Sequence, residues 1–229
     1  MNAVKKIGIL GGTFDPPHIG HLKLAIHFAK ALNLDELLLI PSRESWQKGL
    51  DITSAEIRFQ LTEAAGIDLA RAFLYLKIPT QIGVDRIELD RAGPSYAIDT
   101  VRALRERYGS DVSLSWLMGA DSLIQLPTWN SWEKLLDYVN FAVASRPNHD
   151  LGAALSPVLI QLLQAHQTLD AKALENKPSG LIYIDESLAI DLSSAELRTR
   201  LKTSPGNALE TDQIPSHTLQ IITNLGLYQ

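Results

Sequence analysis

The 229-residue chain contains no cysteine. Disulfide scaffolds and thiolate-ligated metal centres are therefore excluded. An excess of positive charge is missing as well. Lysine and arginine number 21 against 26 aspartates and glutamates, for a net charge of −5, so the chain as a whole offers no cationic footprint for nucleic acid. A local basic cluster could still hold phosphates. No apolar stretch approaches the roughly 20 residues that span a bilayer. After Lys5 and Lys6 the apolar run covers only Ile7 to Leu10 before a glycine pair, which is too short for a signal-peptide core and reads as a strand. The expectation is a cytoplasmic protein that partners neither nucleic acid nor membrane, with its oligomeric state left open. Repeats and low-complexity linkers are absent too; ENKPSG, Glu175–Gly180, reads as a local loop.

What is present is an ordinary globular composition, 45% hydrophobic and 21% charged. The length suits one domain with a sizeable core, residues 1–229, carrying a small helical portion from about residue 191. Short apolar runs alternate with helical spacing. Strands are expected at Lys6–Leu10, Glu36–Pro41, Phe73–Ile78, Ser113–Gly119, Asn140–Ser145 and Leu181–Glu186. Helices are expected at Ile19–Leu32, at Thr53–Ala70 behind a Thr53…Glu56 capping box, and at Ser95–Tyr108 ended by Gly109. Further helices are expected near Trp132–Leu136 and at Leu151–Gln167, Ala195–Leu201 and His217–Asn224. This order predicts an α/β fold, a Rossmann-like, doubly wound and mainly parallel sheet with helices on both faces. Ligands in such sheets bind beyond the carboxyl ends of the strands, at a switch point. That gathers the loops Gly11–His21, Pro41–Leu50, Gly119–Trp129, Arg146–His149 and Asp191–Arg198 at one rim.

The first of these loops carries the strongest chemical signal: Gly11–Gly12–Thr13–Phe14–Asp15–Pro16–Pro17–His18–Ile19–Gly20–His21. Glycine permits a sharp turn and close approach of a ligand to the main chain. The two prolines delay the helix, because Pro17 disfavours helical geometry at Pro16. The helix then starts near Ile19, and its free N–H groups form an anion site. His18 and His21 sit at that terminus, where each imidazole can donate to phosphate oxygens. Gly20 adds no side chain between them. The loop reads as a phosphate cradle with two imidazoles aimed into it. A dinucleotide fingerprint would need G-x-G-x-x-G, and a P-loop would need Gly-Lys-Ser/Thr; neither is present. A histidine metal pair lacks a third ligand nearby. Histidines that merely cap a helix are the competing structural reading, disfavoured by the combination of residues on one turn.

GGTFDPPHIGH resembles the signature of the nucleotidylyltransferase superfamily, whose hallmark is (H/T)-x-G-H after the first strand. In its longer form it is similar to bacterial nicotinate-nucleotide adenylyltransferases. The resemblance continues through AGPSYAIDTVRAL (Ala92–Leu104), LMGADSLIQLPTW (Leu117–Trp129), ASRPN (Ala144–Asn148), LSSAELR (Leu192–Arg198) and GLY (Gly226–Tyr228), in the family's order over nearly the whole chain. Ala97 and Ala195 stand where the family often has threonine. SWQK (Ser45–Lys48) replaces P-P-H-K/R, leaving only Lys48 in register, and Asn148 replaces a common glycine.

The resemblance implies adenylyl transfer from ATP to nicotinate mononucleotide by direct in-line attack on the α-phosphate, giving nicotinate adenine dinucleotide and pyrophosphate in NAD biosynthesis. Such chemistry needs positioning and charge stabilisation more than covalent help. It further implies that His18 and His21 hold the triphosphate, that the Gly11, Gly12, Thr13 and Phe14 backbone lines the nucleotide groove beside Gly20, and that Arg198 forks onto the β- and γ-phosphates. Ser193 or Ser194 would cap the helix carrying Arg198, and Lys48 would reach a substrate phosphate. On the mononucleotide side it implies Trp129 as the stacking face, with Trp46 and Trp132 as weaker candidates. Tyr96 would mark the substrate loop, Arg146 would contact substrate, and backbone N–H groups around Ala97 and Asn130 would receive the carboxylate. Asp121 would hold ribose or water, a role compatible with capping the helix at Ser122. Mg²⁺ is expected to arrive with ATP, held by phosphates and water. The alternatives are a related adenylyltransferase acting on nicotinamide mononucleotide or phosphopantetheine, and a non-catalytic nucleotide-binding regulator.

Overall fold

The computed structural model describes residues 4–44, 52–145, 151–188, 194–203 and 212–228. Seven strands form one sheet in the order β3-β2-β1-β4-β5-β7-β6: β1 (Lys6–Gly12), β2 (Glu36–Pro41), β3 (Gln81–Val84), β4 (Ser113–Gly119), β5 (Asn140–Ala144), β6 (Gln167–Thr168) and β7 (Ile182–Asp185). Every pairing is parallel. The chain runs outward from β1 to β2 and β3, then returns to place β4 on the other side of β1. The switch point therefore lies between β1 and β4, and the loops leaving Gly12 and Gly119 open on it.

Alternation of side chains sorts the strands into two cores. Ile7, Ile9, Leu38, Ile40, Trp116, Met118, Phe141 and Val143 face one side, where α3 (Ala97–Tyr108) lays down Ile98, Val101 and Leu104. Leu10, Leu37, Leu39, Leu117, Ala142 and Ala144 face the other, covered by Phe28 of α1 (Ile19–Ala31) and by Leu69 and Phe73 of α2 (Ala55–Tyr75). The central strands carry apolar residues on both faces, which is why ELLLIP and SLSWLMG read as continuous apolar runs. Each fully buried Leu, Ile or Phe contributes ~1.5–3 kcal/mol of transfer free energy.

Two expectations for the first half are corrected. Phe73–Ile78 is not a strand: α2 continues to Tyr75, and the chain turns at Lys77, whose φ is +55°. Within that run Leu74 and Tyr75 are 82% and 86% exposed, so its apolar character does not reflect burial. The third strand is Gln81–Val84, an edge strand whose exposed and half-buried residues lack the expected apolar signature. The N-cap of α2 is Ser54, whose Oγ accepts from the Ile57 N–H at 3.4 Å, rather than Thr53.

Beyond β4, a short α4 (Ala120–Ile124) follows Gly119, which is its N-cap; Asp121 sits inside the helix and does not cap it. The expected Leu151–Gln167 helix is divided into α5 (Leu151–Ala154) and α6 (Pro157–His166). Pro157 opens α6 at a position where its missing N–H costs nothing. The small α7 (Lys172–Glu175) precedes β7. Two helices, α8 (Ser194–Thr203) and α9 (Ser216–Leu225), pack Leu197, Leu201 and Ile222 against Leu61 of α2, joined by Ile214 just before α9. Asp68 of α2 fixes the start of α9, accepting from the Ser216 hydroxyl and the His217 N–H at 2.9 Å each.

Asp185, the last residue of β7, ties the sheet to α1. Its carboxylate accepts from Tyr183 Oη at 3.0 Å and from the Ser187 N–H and Oγ at 2.8 and 2.6 Å, and lies 3.0 Å from His27 Nε2. Burial pushes its pKa up, but the Ser187 hydrogen bonds and His27 outweigh burial and hold it at about 2. A carboxylate depressed on folding stabilises above its unfolded pKa, and that stability is lost as pH falls through the folded value. Asp185→Asn is therefore expected to lose on the order of 1–2 kcal/mol at neutral pH. In denaturant titrations run from pH 7 to pH 2, the gap to the parent should close below about pH 4. A gap that persists unchanged to pH 2 would exclude this ionic origin.

Candidate active site

The strand-to-helix turn takes the expected form. β1 ends at Gly12 and α1 starts at Ile19. Gly11 is required by its neighbour: a Cβ there would stand 2.7 Å from Cζ2 of the Trp116 indole. Phe14 adopts a left-handed φ of +51° and turns its ring inward, 2% exposed. That ring meets His21 edge-on at 4.9 Å. Of Phe14, only the backbone can line a ligand groove.

His18 is the N-cap residue of α1, with an extended backbone. Its N–H donates to Nδ1 of His21 at 3.1 Å. An Nδ1 that accepts places the ring proton of neutral His21 on Nε2. The two imidazoles stack, 3.7 Å between centroids and 29° apart in plane. Gly20 is buried in the first turn beside them. The helix therefore presents its first-turn N–H groups and a stacked imidazole pair at one end, an arrangement suited to an anion.

The loop is braced from behind by the expected Arg198 and Ser194 and by three side chains to which sequence reasoning gave no role, Asp15, Arg58 and Tyr228. Asp15 is fully buried. Its Oδ1 accepts from Tyr228 Oη at 2.5 Å, and its Oδ2 accepts from the Thr53 N–H at 3.3 Å and lies 3.6 Å from Arg198 Nη1. Arg198, on α8, also donates from Nη1 to the Asp15 carbonyl at 2.6 Å. Ser194 opens α8 but does not cap it; its buried hydroxyl donates to the Pro16 carbonyl at 2.9 Å. Arg58 of α2 is 2% exposed and spends its guanidinium on four carbonyls: Thr13 at 2.8 Å, Ser42 at 2.5 Å, Arg43 at 2.7 Å and Thr53 at 2.9 Å. Burial pushes its pKa down and the Asp15 charge opposes that. An arginine starting above 12 stays charged. From sequence Arg58 looks like a helix surface residue; only the carbonyls around it reveal otherwise.

Of the residues expected on the mononucleotide side, Tyr96, Ala97 and Trp129 pack against the first core. Tyr96 is the N-cap residue of α3 and Ala97 its first helical residue, both partly buried against that core. Trp129 follows a 3₁₀ turn at Leu126–Thr128 and is half-buried, meeting Trp116 edge-on at 6.2 Å. Trp116 thus touches Trp129 on one side and crowds Gly11 on the other. Asn130 and Asp121 are exposed nearby in sequence. Glu88 is buried and accepts from Thr100 Oγ1 at 2.7 Å, and Arg91 donates to the same hydroxyl at 3.2 Å and to the Tyr96 carbonyl at 3.4 Å. Burial pushes the Glu88 pKa up. This cluster fixes the start of α3. Lys48, Trp46, Arg146, Asn148 and Ser193 lie outside the described residues. Among the described residues no group of three His, Asp or Glu side chains could hold a metal ion, and no helix is long and apolar enough to cross a membrane.

The profile of the cytidylyltransferase-like family matches residues 9–200. A relative from Aeromonas salmonicida (strain A449), named "Probable nicotinate-nucleotide adenylyltransferase", is 39% identical over 97% of this chain and 97% of its own length. One of the same name from Herminiimonas arsenicoxydans is 34% identical over 97% of this chain and 96% of its own. Among solved structures, Plasmodium falciparum nicotinic acid mononucleotide adenylyltransferase complexed with APC superposes with a TM-score of 0.66 at 16% identity, covering 98% of this chain and 97% of that one. The same enzyme complexed with NaAD gives 0.63 at 17% identity, with the same coverage. At that identity the structures speak for the fold, and the sequence relatives speak for the family. A parallel sheet with its switch point beside β1, a paired-histidine turn at that point and relatives matching end to end agree: the chain belongs to the cytidylyltransferase-like family, in its nicotinate-nucleotide adenylyltransferase branch.

Proposed function

We propose that this chain transfers the adenylyl group of ATP to nicotinate mononucleotide, in the cytoplasm, as a step of NAD biosynthesis. The observation that carries the reading is the stacked His18–His21 pair at the N-terminus of α1, standing at the switch point with Arg198 bound to the same loop. A 5′-phosphate oxygen of the mononucleotide attacks the α-phosphorus. The new P–O bond forms as the bond to the β-phosphate breaks, and pyrophosphate leaves. The reaction needs no enzyme nucleophile, only donors placed where charge develops. His18 and His21 supply them at the α-phosphate, the Gly11–Phe14 backbone lines the groove, and Arg198 with Ser194 holds the far phosphates. Lys48, Arg146 and Ser193 are further proposed contacts. Mg²⁺ enters with ATP as part of the substrate, and phosphates and water hold it.

Trp129 is proposed to stack on the pyridine ring, with N–H groups at Ala97 and Asn130 meeting its carboxylate and Tyr96 and Asp121 lining the approach. Trp129→Ala is then expected to raise KM for the mononucleotide about tenfold or more while KM for ATP moves less than about twofold. Equal changes in the two constants would remove Trp129 from the pocket. The reading as a whole is tested by pyrophosphate release from ATP and Mg²⁺, with nicotinate mononucleotide, nicotinamide mononucleotide and phosphopantetheine in parallel. Strong turnover with the nicotinate form alone is expected. Preference for nicotinamide would keep the histidine chemistry and overturn the pocket; ATP binding with no turnover on any of the three would indicate a regulator.

A further inference from the structure

The turn that carries His18 and His21 is held largely by the last stretch of the chain. Arg198 and Ser194 reach its Asp15 and Pro16 carbonyls, and the Ile19 N–H donates to the Gln213 carbonyl at 2.9 Å. The tightest of these contacts is the most distant in sequence, the 2.5 Å bond from Tyr228 Oη to Asp15 Oδ1, with |i−j| of 213. The local sequence is built to deliver it. Gly226 closes α9 in a left-handed conformation, φ +59°, and the Leu227 N–H returns to the Ile222 carbonyl at 3.0 Å. That turn sends Tyr228 back towards the sheet, with its own φ at +62°. A left-handed tyrosine is uncommon and strained, and its hydroxyl is held by the buried carboxylate. Thr53 Oγ1 donates to the phenol oxygen at 3.3 Å, while the Thr53 N–H takes the other carboxylate oxygen.

Asp15 is thus a four-way junction between the phosphate turn, the start of α2, α8 and the tail. Its Oδ2 and its carbonyl face Arg198, so the carboxylate sets where that guanidinium sits; its Oδ1 is set by Tyr228. Burial and the neighbouring carboxylate push the Tyr228 phenol well up, so it remains a donor at any working pH.

We propose that Tyr228 is a positioning residue for adenylyl transfer: by fixing the Asp15 carboxylate, its hydroxyl sets where Arg198 and the His18–His21 turn meet the triphosphate. This rests on the adenylyl-transfer reading. The test is Tyr228→Phe, which keeps the ring and removes one oxygen. Expected is a fall in kcat of about tenfold, with the mononucleotide KM within about twofold of the parent and little change in melting temperature. Asp15→Asn keeps an acceptor for Tyr228 but removes the charge facing Arg198. The double variant should be no slower than the slower single one, because both act through one junction. A folded Tyr228→Phe protein with kcat within about twofold of the parent, or strict additivity in the cycle, overturns the proposal. If Tyr228→Phe does not fold, Thr53→Ala loosens the same phenol and gives the same kcat-against-KM readout. A parent that binds ATP but turns over no mononucleotide overturns the functional reading instead. The brace is then judged by ATP affinity in a titration: a loss of about fivefold or more in Tyr228→Phe supports it, and unchanged affinity overturns it.

Discussion

His18→Ala is expected to lower kcat by about 10²–10³-fold, the cost of removing one donor aimed at charge that develops in the transition state. The expectation rests on placement. His18 is 5% exposed and stacked on His21 at the N-terminus of α1, directly after β1 at the switch point of the sheet. Its capping runs both ways: the main-chain N–H donates to His21 Nδ1, and the His18 side chain takes the His21 N–H in return. Alanine keeps the first bond and loses the second, at ~1 kcal/mol of helix stability, so the variant should stay folded, and a thermal melt together with the ATP KM checks this. His21→Ala likewise removes both a ring donor and an acceptor that caps α1, the second costing ~1 kcal/mol of helix stability. Combining the two is expected to be barely worse than either alone, since stacked groups serving one phosphate act as a unit. Turnover by His18→Ala within about threefold of the parent, less than ~1 kcal/mol of barrier, would remove the imidazole from the mechanism.

Arg58→Met should be the most destabilising single change in the loop framework. Methionine matches the length of the arginine stem but leaves the carbonyls of Thr13, Ser42, Arg43 and Thr53 without their shared donor. It also takes a positive charge away from buried Asp15. Breaking a buried, hydrogen-bonded charge cluster on one side costs ~3–5 kcal/mol. In a chain of this size that corresponds to a melting temperature lower by on the order of 10 °C. Lysine restores charge but not the planar fork, so Arg58→Lys should recover only part of the loss. Denaturant titration of the three proteins measures this directly. A Met variant within about 1 kcal/mol of the parent would mean that water replaces the guanidinium at those carbonyls.

The core of the fold was legible in the sequence because the central strands are buried on both faces and read as unbroken apolar runs. Sequence reasoning failed where exposure and apolarity part company. Leu74 and Tyr75 look like strand and sit on the surface of a helix, while the true edge strand at Gln81–Val84 has too little buried surface to leave a pattern. The site divides in the same way. The paired histidines and glycines are local and could be read off one turn. Arg58, Trp116 and Tyr228 act through partners scattered along the chain: Arg58 meets Thr13, |i−j| of 45, and Tyr228 meets Asp15 across nearly the whole length. No window of sequence holds both members of such a pair.

The junction at Asp15 has a consequence for how the protein comes into being. During synthesis the His18–His21 turn emerges before the segments that brace it, and β1 can find β2 within about 30 residues. The turn nevertheless waits for Ser194, Arg198, Gln213 and finally Tyr228 before its buried carboxylate and carbonyls have their partners. The entropy cost of closing loops of that span grows only slowly with their length, so the wait is set by the arrival of the partners. A nascent polypeptide halted after β7 and before Ser194 would own both histidines and lack these braces. On the proposed role of the junction, chains that stop before Tyr228 should be silent even where their sheet has formed.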